Sequence, residues 1–205
     1  SIIQAKITKE IDEVYISSDS DEILKIGTEY GAKTIKRPDS ISGDLATSEE
    51  AILHALTVLE EDYSCIIMLE AASPLRRSTD LSDAIRIFKD SNYDSAFSSA
   101  ELQDFLIWKK EKEGLIRINY DYKKRGTRQL RKKEFLENGA IYLFKPELIL
   151  KESNRIGGKI GLIPNAFWQS FEIDEKEDWK LVELIFKNYL LDEYNALIRD
   201  ENNNK

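Results

Sequence analysis

At 205 residues, with 41% hydrophobic and 10% aromatic content, the chain has material for one α/β domain with a sizeable core. Its net charge of −8 gives no support to nucleic-acid binding, and its single cysteine, Cys65, excludes an internal disulfide. No stretch approaches the ~18 apolar residues of a membrane span and the opening residues carry no signal-peptide pattern, so the expectation is a cytoplasmic protein with Cys65 as a small core residue.

The first residues set Ile3, Ile7 and Ile11 four apart, the pattern of an amphipathic helix tail with more sequence expected ahead of Ser1. Residues 13–17 ("EVYIS") read as a strand, and 17–32 as a polar loop and a helix ended by Gly31. A second strand, 33–37 ("KTIKR"), stops at Pro38. Ser48, with Glu49 and Glu50, reads as the N-cap and acidic first turn of a helix to Leu59. That helix carries the only histidine, His54, expected to be an ordinary packed or surface residue. Residues 66–69 ("IIML") read as a strand covered on both faces. No Asn-Gly or Asp-Gly follows to make a hairpin; Ser78-Thr79-Asp80 instead resembles a cap ahead of Leu81, Ala84, Ile85 and Phe88. Strand, loop, helix is the unit whose loop sits at the carboxyl edge of an open α/β sheet, where ligands bind. With "DSAFSSAEL" as a fourth strand, the rhythm predicts a mostly parallel, doubly wound sheet with helices on both faces.

Residues 103–135 break that rhythm. The stretch is strongly basic between Lys123 and Lys133, with aromatics interleaved. It suits an arm on a partner subunit, a basic lid over an anionic ligand, or a solvated excursion. Beyond it, "NGAIYLF" reads as a strand and "GKIGLIPN" as an edge strand. A long terminal helix is expected from about 177 to 199, and then a frayed polar tail.

No Cys/His cluster points to zinc, and no G-x-S-x-G points to a serine hydrolase. Glu172 and Asp174 stand two apart in extended chain, so both carboxylates point to one side. Such a pair can hold a hard cation such as Mg²⁺ together with substrate phosphates. The acidic run at 17–22 reads better as a helix cap.

Taken together, "RPDSISGDLATSEEAILHAL", "LEAASPLR", "YDSAFSSAE", "NGAIYLF" and "FEIDEKEDW" occur in the order and spacing of a known set. From about residue 10 to 185 the chain resembles the acylneuraminate cytidylyltransferase family. The resemblance implies a Rossmann-like, GT-A-like nucleotidyltransferase domain spanning 1–205, with 103–135 as a dimerisation or lid extension of a homodimer. It implies transfer of CMP from CTP to the anomeric hydroxyl of a nine-carbon keto-deoxy sugar acid, with release of pyrophosphate and a need for Mg²⁺. It places Arg37 and Ser48 at the nucleotide, and Glu70, Arg128, Asn138 and Tyr142 at the sugar. Glu172 and Asp174 stand at the metal, and with Arg128 they form the catalytic set. Ser73 and Arg76 would lie near the ligands or brace their loop. An eight-carbon acid is the alternative substrate, and either a metal-bound hydroxide or a carboxylate takes the sugar's proton. Neither nucleic acid nor membrane is an expected partner.

Two departures matter. The first strand and nucleotide loop of the family pattern would lie upstream of Ser1, so this chain alone is expected to be marginally folded or inactive, and a non-catalytic assembly subunit is the rival reading. Glu70 also stands where the family has a glutamine. A carboxylate about 4 Å from the sugar's own would cost roughly 4 kcal/mol at an effective dielectric near 20. Screening by Arg76 or Arg128, or a substrate other than ordinary sialic acid, is expected.

Overall fold

The computed structural model describes all residues except 61, 103–104, 128, 130–131 and 204–205. In chain order it runs α1 (Ile2–Ile7), β1 (Tyr15–Ser18), α2 (Asp21–Glu29), β2 (Lys33–Lys36), α3 (Ser48–Leu59) and β3 (Ile66–Met68). Next come α4 (Asp80–Asp90), β4 (Ser95–Glu101), a hairpin of β5 (Trp108–Glu111) and β6 (Gly114–Arg117), and the long β7 (Phe135–Phe144). The chain closes with α5 (Pro146–Glu152), β8 (Ile160–Pro164), α6 (Lys176–Tyr189) and α7 (Leu191–Asn203).

Strand β7 shows why two layers of helix form. Ile141 and Leu143 pack with Leu81, Ile85 and Phe88 of α4, whereas Tyr142 and Phe144 pack with Ile52, Leu53 and Leu56 of α3 and Ile149 of α5. Alternate residues of a strand point to opposite faces, so each face of the sheet has its own helices. The sheet order is β3-β7-β4-β8, with β4 and β8 parallel and β7 antiparallel to both β3 and β4. The "GKIGLIPN" strand takes the edge, as its sequence predicts.

Strands β1 and β2 form a separate parallel pair, and among the described residues no strand pairing joins β1 to β3. A cavity of about 1280 Å³ lies between the two sheets, walled by β1, β3, α1, α3 and α4. This explains why β3 differs from its expected burial. Ile66, Ile67 and Met68 are only half-buried, because one edge of their strand faces the gap.

Local differences from the sequence reading have local causes. The cap of α3 is Thr47, one residue before Ser48: its hydroxyl accepts from Glu50 N at 3.2 Å, while Glu50 Oε2 accepts from Thr47 N at 2.7 Å. Helix α1 ends at Ile7, leaving Ile11 outside it. The expected single terminal helix breaks at Leu190, which is 1% exposed and packs with Leu75, Val182, Ile185 and Tyr194. No glycine or proline marks that break, so only tertiary packing could place it. Residues 108–117 stand out as an exposed hairpin, attached through Phe105, which stacks on Phe167 at 5.1 Å. Among the described residues, no helix is long and apolar enough to cross a membrane.

Candidate active site

The loop after β3 is held by one buried side chain. Arg76 is fully buried, and it donates from Nε to the Ala140 carbonyl (2.6 Å) and from Nη2 to the Glu70 carbonyl (2.8 Å). Its Nη1 reaches Ser1 Oγ at 2.9 Å and Gln4 Oε1 at 3.2 Å. Burial pulls its pKa down to about 10, against the opposing fields of Tyr194, Asp80 and Glu70. Of the two roles open to Arg76, bracing is the one its contacts describe. Every guanidinium nitrogen is engaged within the protein, tying the loop to β7 and α1.

Opposite Ser98 of β4, β7 swells into a bulge. Phe97 pairs with Tyr142 and Ser99 with Glu137, so residues 138–141 face Ser98 alone. Asn138, 1% exposed, accepts from Ser98 Oγ at 2.5 Å, and Ile141 N donates to the same hydroxyl at 2.8 Å. Gly139 takes φ +62, and a Cβ there would stand 2.8 Å from Glu70 Oε2 and 3.1 Å from Ser73 Oγ. The position therefore requires glycine on both counts, backbone and space. Asn138 shapes this bulge; its side chain is turned into the β4–β7 contact.

The acidic segment joins the same place through the main chain. Ile173 N donates to the Ala72 carbonyl at 2.9 Å, pinning the residues between Glu172 and Asp174 to the Glu70 loop. Asp178 accepts from the amides of Asp174 (3.1 Å) and Glu175 (2.8 Å), so the start of α6 fixes the far end. Three carboxylates consequently share one neighbourhood. Burial, then the fields of Glu70 and Asp174, lift the Glu172 carboxyl above the ordinary range; the Ser73 hydroxyl offsets part of this. Glu70 is raised too, first by burial and also by Glu137 and Asp174, with Arg155 the largest opposing influence. Ser73 Oγ is buried with no full hydrogen bond to any neighbour. Oxygen-only donors crowded in this way suit a hard divalent ion that draws its remaining ligands from phosphates. Among the described residues, no group of three or more His, Cys, Asp or Glu forms a metal cage by itself.

Arg37 and Ser48 line the inter-sheet cavity, and of the sugar candidates Glu70 lines it with them. Ser73, Arg76, Asn138, Tyr142 and Glu172 are not part of its wall, and Asp174 lines a separate depression with Ile173, Lys176 and Trp179. Arg37 Nε donates to Ser42 Oγ at 3.1 Å, and its Nη2 stands 3.8 Å from Asp19. Tyr142 lies below the bulge and donates its hydroxyl to Glu137 at 2.7 Å, with its pKa pushed up to about 12, chiefly by burial. Arg128 lies outside the described residues. The sequence reading missed Arg155, whose guanidinium sits 4.3 Å from the Tyr142 ring centre, 2.5 Å from Glu49 and 3.7 Å from Glu70. An isolated arginine in a Ser/Asn/Gly loop carries no motif. Only the acidic partners at 49 and 70, far apart in sequence, could have pointed to it.

Comparison with known proteins bears on the family and the fold. A family model described as cytidylyltransferase matches residues 1–185. The chain is 32% identical to post-translational flagellin modification protein B of Campylobacter coli, over 91% of this chain and 82% of that one. It is 31% identical to CMP-N,N'-diacetyllegionaminic acid synthase of Campylobacter jejuni, covering 90% and 81% respectively. Against N-acylneuraminate cytidylyltransferase A of Danio rerio it is 29% identical over 89% of its length, but spans only 43% of that larger protein. A solved structure of CMP:2-keto-3-deoxy-manno-octonic acid synthetase complexed with CTP superposes with a TM-score of 0.62, covering 91% of this chain and 86% of that one. At 11% identity, that likeness speaks for the fold alone.

Proposed function

The chain belongs to the cytidylyltransferase family and is a nucleotidyltransferase, and from that premise we propose that it transfers CMP from CTP to the anomeric hydroxyl of a nine-carbon keto-deoxy sugar acid, releasing pyrophosphate. The observation that carries this reading is the meeting of the Glu70 loop with the Glu172–Asp174 segment through the Ile173–Ala72 hydrogen bond. Chain regions about a hundred residues apart are brought together there. The Glu70 loop lines the cavity that also takes in Arg37 and Ser48, and the Glu172–Asp174 segment is tied to that loop from outside the cavity lining, with Asp174 on a neighbouring depression beside Trp179. The relative named for a diacetyllegionaminic acid favours a nonulosonic acid as the acceptor.

In this reading Arg37 and Ser48 orient the nucleotide at the α3 end of the cavity. The amino terminus of α3 adds its partial positive charge for a phosphate. Glu172 and Asp174 would hold Mg²⁺, which when bound supplies charge neutralisation for the phosphates and the leaving pyrophosphate. The sugar lies between Glu70 and the Tyr142 side of the bulge, and a carboxylate of this cluster accepts the proton of the attacking hydroxyl. Arg76 and the Asn138–Gly139 bulge position these groups by fixing the main chain beneath them. The exposed apolar side chains of the hairpin, Leu115 and Ile116 with Ile118 beyond it, support a role as an arm between two copies of the chain.

The test is to incubate the protein with CTP, magnesium and a panel of nonulosonic and shorter keto-deoxy acids, and to follow both pyrophosphate and the CMP-sugar. Metal-dependent formation of both with a nine-carbon acid is expected. Failure to bind CTP with magnesium, and no product with any acid, would favour a non-catalytic assembly subunit.

A further inference from the structure

Arg155 holds together parts of the site that the chain order keeps apart. It projects from the loop between α5 and β8, and its side chain is only 17% exposed. Nη1 bonds Glu49 in the first turn of α3, beside Ser48; Nη2 approaches Glu70; the guanidinium plane covers Tyr142, which in turn holds Glu137. Arg76, the other guanidinium near Glu70, binds that residue's main-chain carbonyl. The Glu70 side chain is thus steered by Arg155 on one side and confined by Gly139 on the other. An ionised carboxylate can only accept hydrogen bonds, whereas the amide that the family pattern has here can also donate.

We infer that Arg155 is a positioning residue that fixes Glu70 as a charged acceptor toward the sugar. The favoured substrate is then a sugar acid presenting a nitrogen-borne donor at that point, a cationic amine above its neutral acyl form. This rests on the proposed reading of the site and adds to it the chemistry of the facing substituent. Charge-assisted hydrogen bonds are roughly twice as strong as neutral ones, and exchanging a carboxylate for an amide removes that advantage.

The experiment compares the wild-type chain with Glu70→Gln, Arg155→Lys, Arg155→Met and the Glu70→Gln/Arg155→Met pair. Each is given a keto-deoxy sugar acid bearing a free amine and its N-acetyl counterpart. Two ratios are read for that pair of acids, one of kcat/KM and one of calorimetric Kd measured without CTP. The wild type is expected to favour the amine by about tenfold, the scale on which ~1.4 kcal/mol is read. The ratio should fall toward unity in Glu70→Gln and Arg155→Met, survive in Arg155→Lys, and fall no further in the double variant. A ratio equal in all five proteins overturns the inference while leaving the cytidylyltransferase reading intact. Retention of the binding ratio without turnover would do the reverse. If Arg155→Met fails to fold, Arg155→Gln takes its place, since it keeps a shorter neutral donor. A ratio that falls there supports the positioning role, and a ratio left untouched, as a merely structural arginine would leave it, overturns the inference.

Discussion

Gly139→Ala probes the site through its tightest contact. The residue sits at φ +62, where an alanine is strained by about 1–2 kcal/mol relative to glycine. The new methyl would also stand 2.8 Å from Glu70 Oε2, closer than carbon and oxygen tolerate, and 3.1 Å from Ser73 Oγ, a tight contact that a shift of a few tenths of an ångström relieves. The nearer atom is the end of a flexible side chain, so Glu70 gives way and the backbone does not. The stability loss is then mainly the backbone term. At about 2–4 °C per kcal/mol for a chain of this size, melting should fall by roughly 2–8 °C. Function should suffer more. Glu70 must swing away from its place near Arg155, and if it faces the sugar as proposed, misplacing it by a few tenths of an ångström to 1 Å should cost about tenfold or more in kcat/KM. Thermal melts and steady-state kinetics of Gly139→Ala are read against Gly43→Ala, which has nothing within 4 Å of its new methyl and should match the wild type. A Gly139→Ala enzyme that melts and turns over like the wild type would mean that the bulge does not press on Glu70.

Arg76→Met removes the guanidinium donors to the Ala140 carbonyl and to the Glu70 carbonyl, which keeps only the longer bond from Ser73 N at 3.3 Å. This should cost about 2–3 kcal/mol and lower the melting temperature by about 4–12 °C in calorimetry. Arg76→Lys should recover less than half of that, because one ammonium cannot span both acceptors. Glu70 and Glu172 hold protons more tightly in the folded chain than in the unfolded one. Between the ordinary carboxylate pKa and their raised folded values the native state binds more protons, so stability falls as pH rises through that window. Melts from roughly pH 4 to pH 8 should show this slope, and Glu172→Gln should flatten it; a slope unchanged in the variant would disprove the crowding. Replacing Leu115 and Ile116 by lysine should shift sedimentation from dimer to monomer if the hairpin is the arm, with the melting temperature of the isolated chain unmoved.

Those parts of the fold that rest on local periodicity could be read from the sequence. The spacing of Leu81, Ala84, Ile85 and Phe88 placed the buried stripe of α4, and all four side chains are indeed in the core. The run at 17–22 was readable as a helix cap because capping is strictly local, and Ser20 within it accepts from the Ile23 amide three residues on. The carboxylate pair at 172 and 174 was visible as spacing, but its convergence with Glu70 depends on one hydrogen bond between distant loops. Arg76 shows the same limit. Its sequence context, Ser-Pro-Leu-Arg, says that a loop is turning and nothing about four acceptors drawn from Ser1, Gln4, Glu70 and Ala140. The bulge was hidden for a further reason. Asn-Gly within "NGAIYLF" reads as the start of a strand, whereas β7 begins at Phe135 and the pair marks a swelling within it.

The gap between the two sheets bears on how firmly the proposed nucleotide end, around Arg37 and Ser48, is built. Arg37 follows β2, a strand paired only to β1, while Glu70 follows β3, paired to β7. What joins the two halves is side-chain packing around a cavity of about 1280 Å³. Ile16 of β1 and Ile66 and Ile67 of β3 remain incompletely buried at its walls. Since about a third or less of each is exposed, completing their burial would add up to about 0.5–1 kcal/mol each, a third of the ~1.5–3 kcal/mol for a whole side chain. Three such side chains together leave roughly 1.5–3 kcal/mol unrealised, a noticeable share of the ~5–15 kcal/mol net stability of a whole domain. Backbone amides of β1 and β2 should therefore exchange with solvent faster than those of β4 and β7, because they open with their own small sheet and not with the core. Adding an apolar strand ahead of Ser1 that can seat between β1 and β3 should raise protection in both at once and raise the melting temperature with it. Hydrogen exchange followed by mass spectrometry separates the cases. Equal protection in β1 and β4 of the 205-residue chain would show that packing alone already locks the halves together, leaving the Arg37 end as rigid as the Glu70 end.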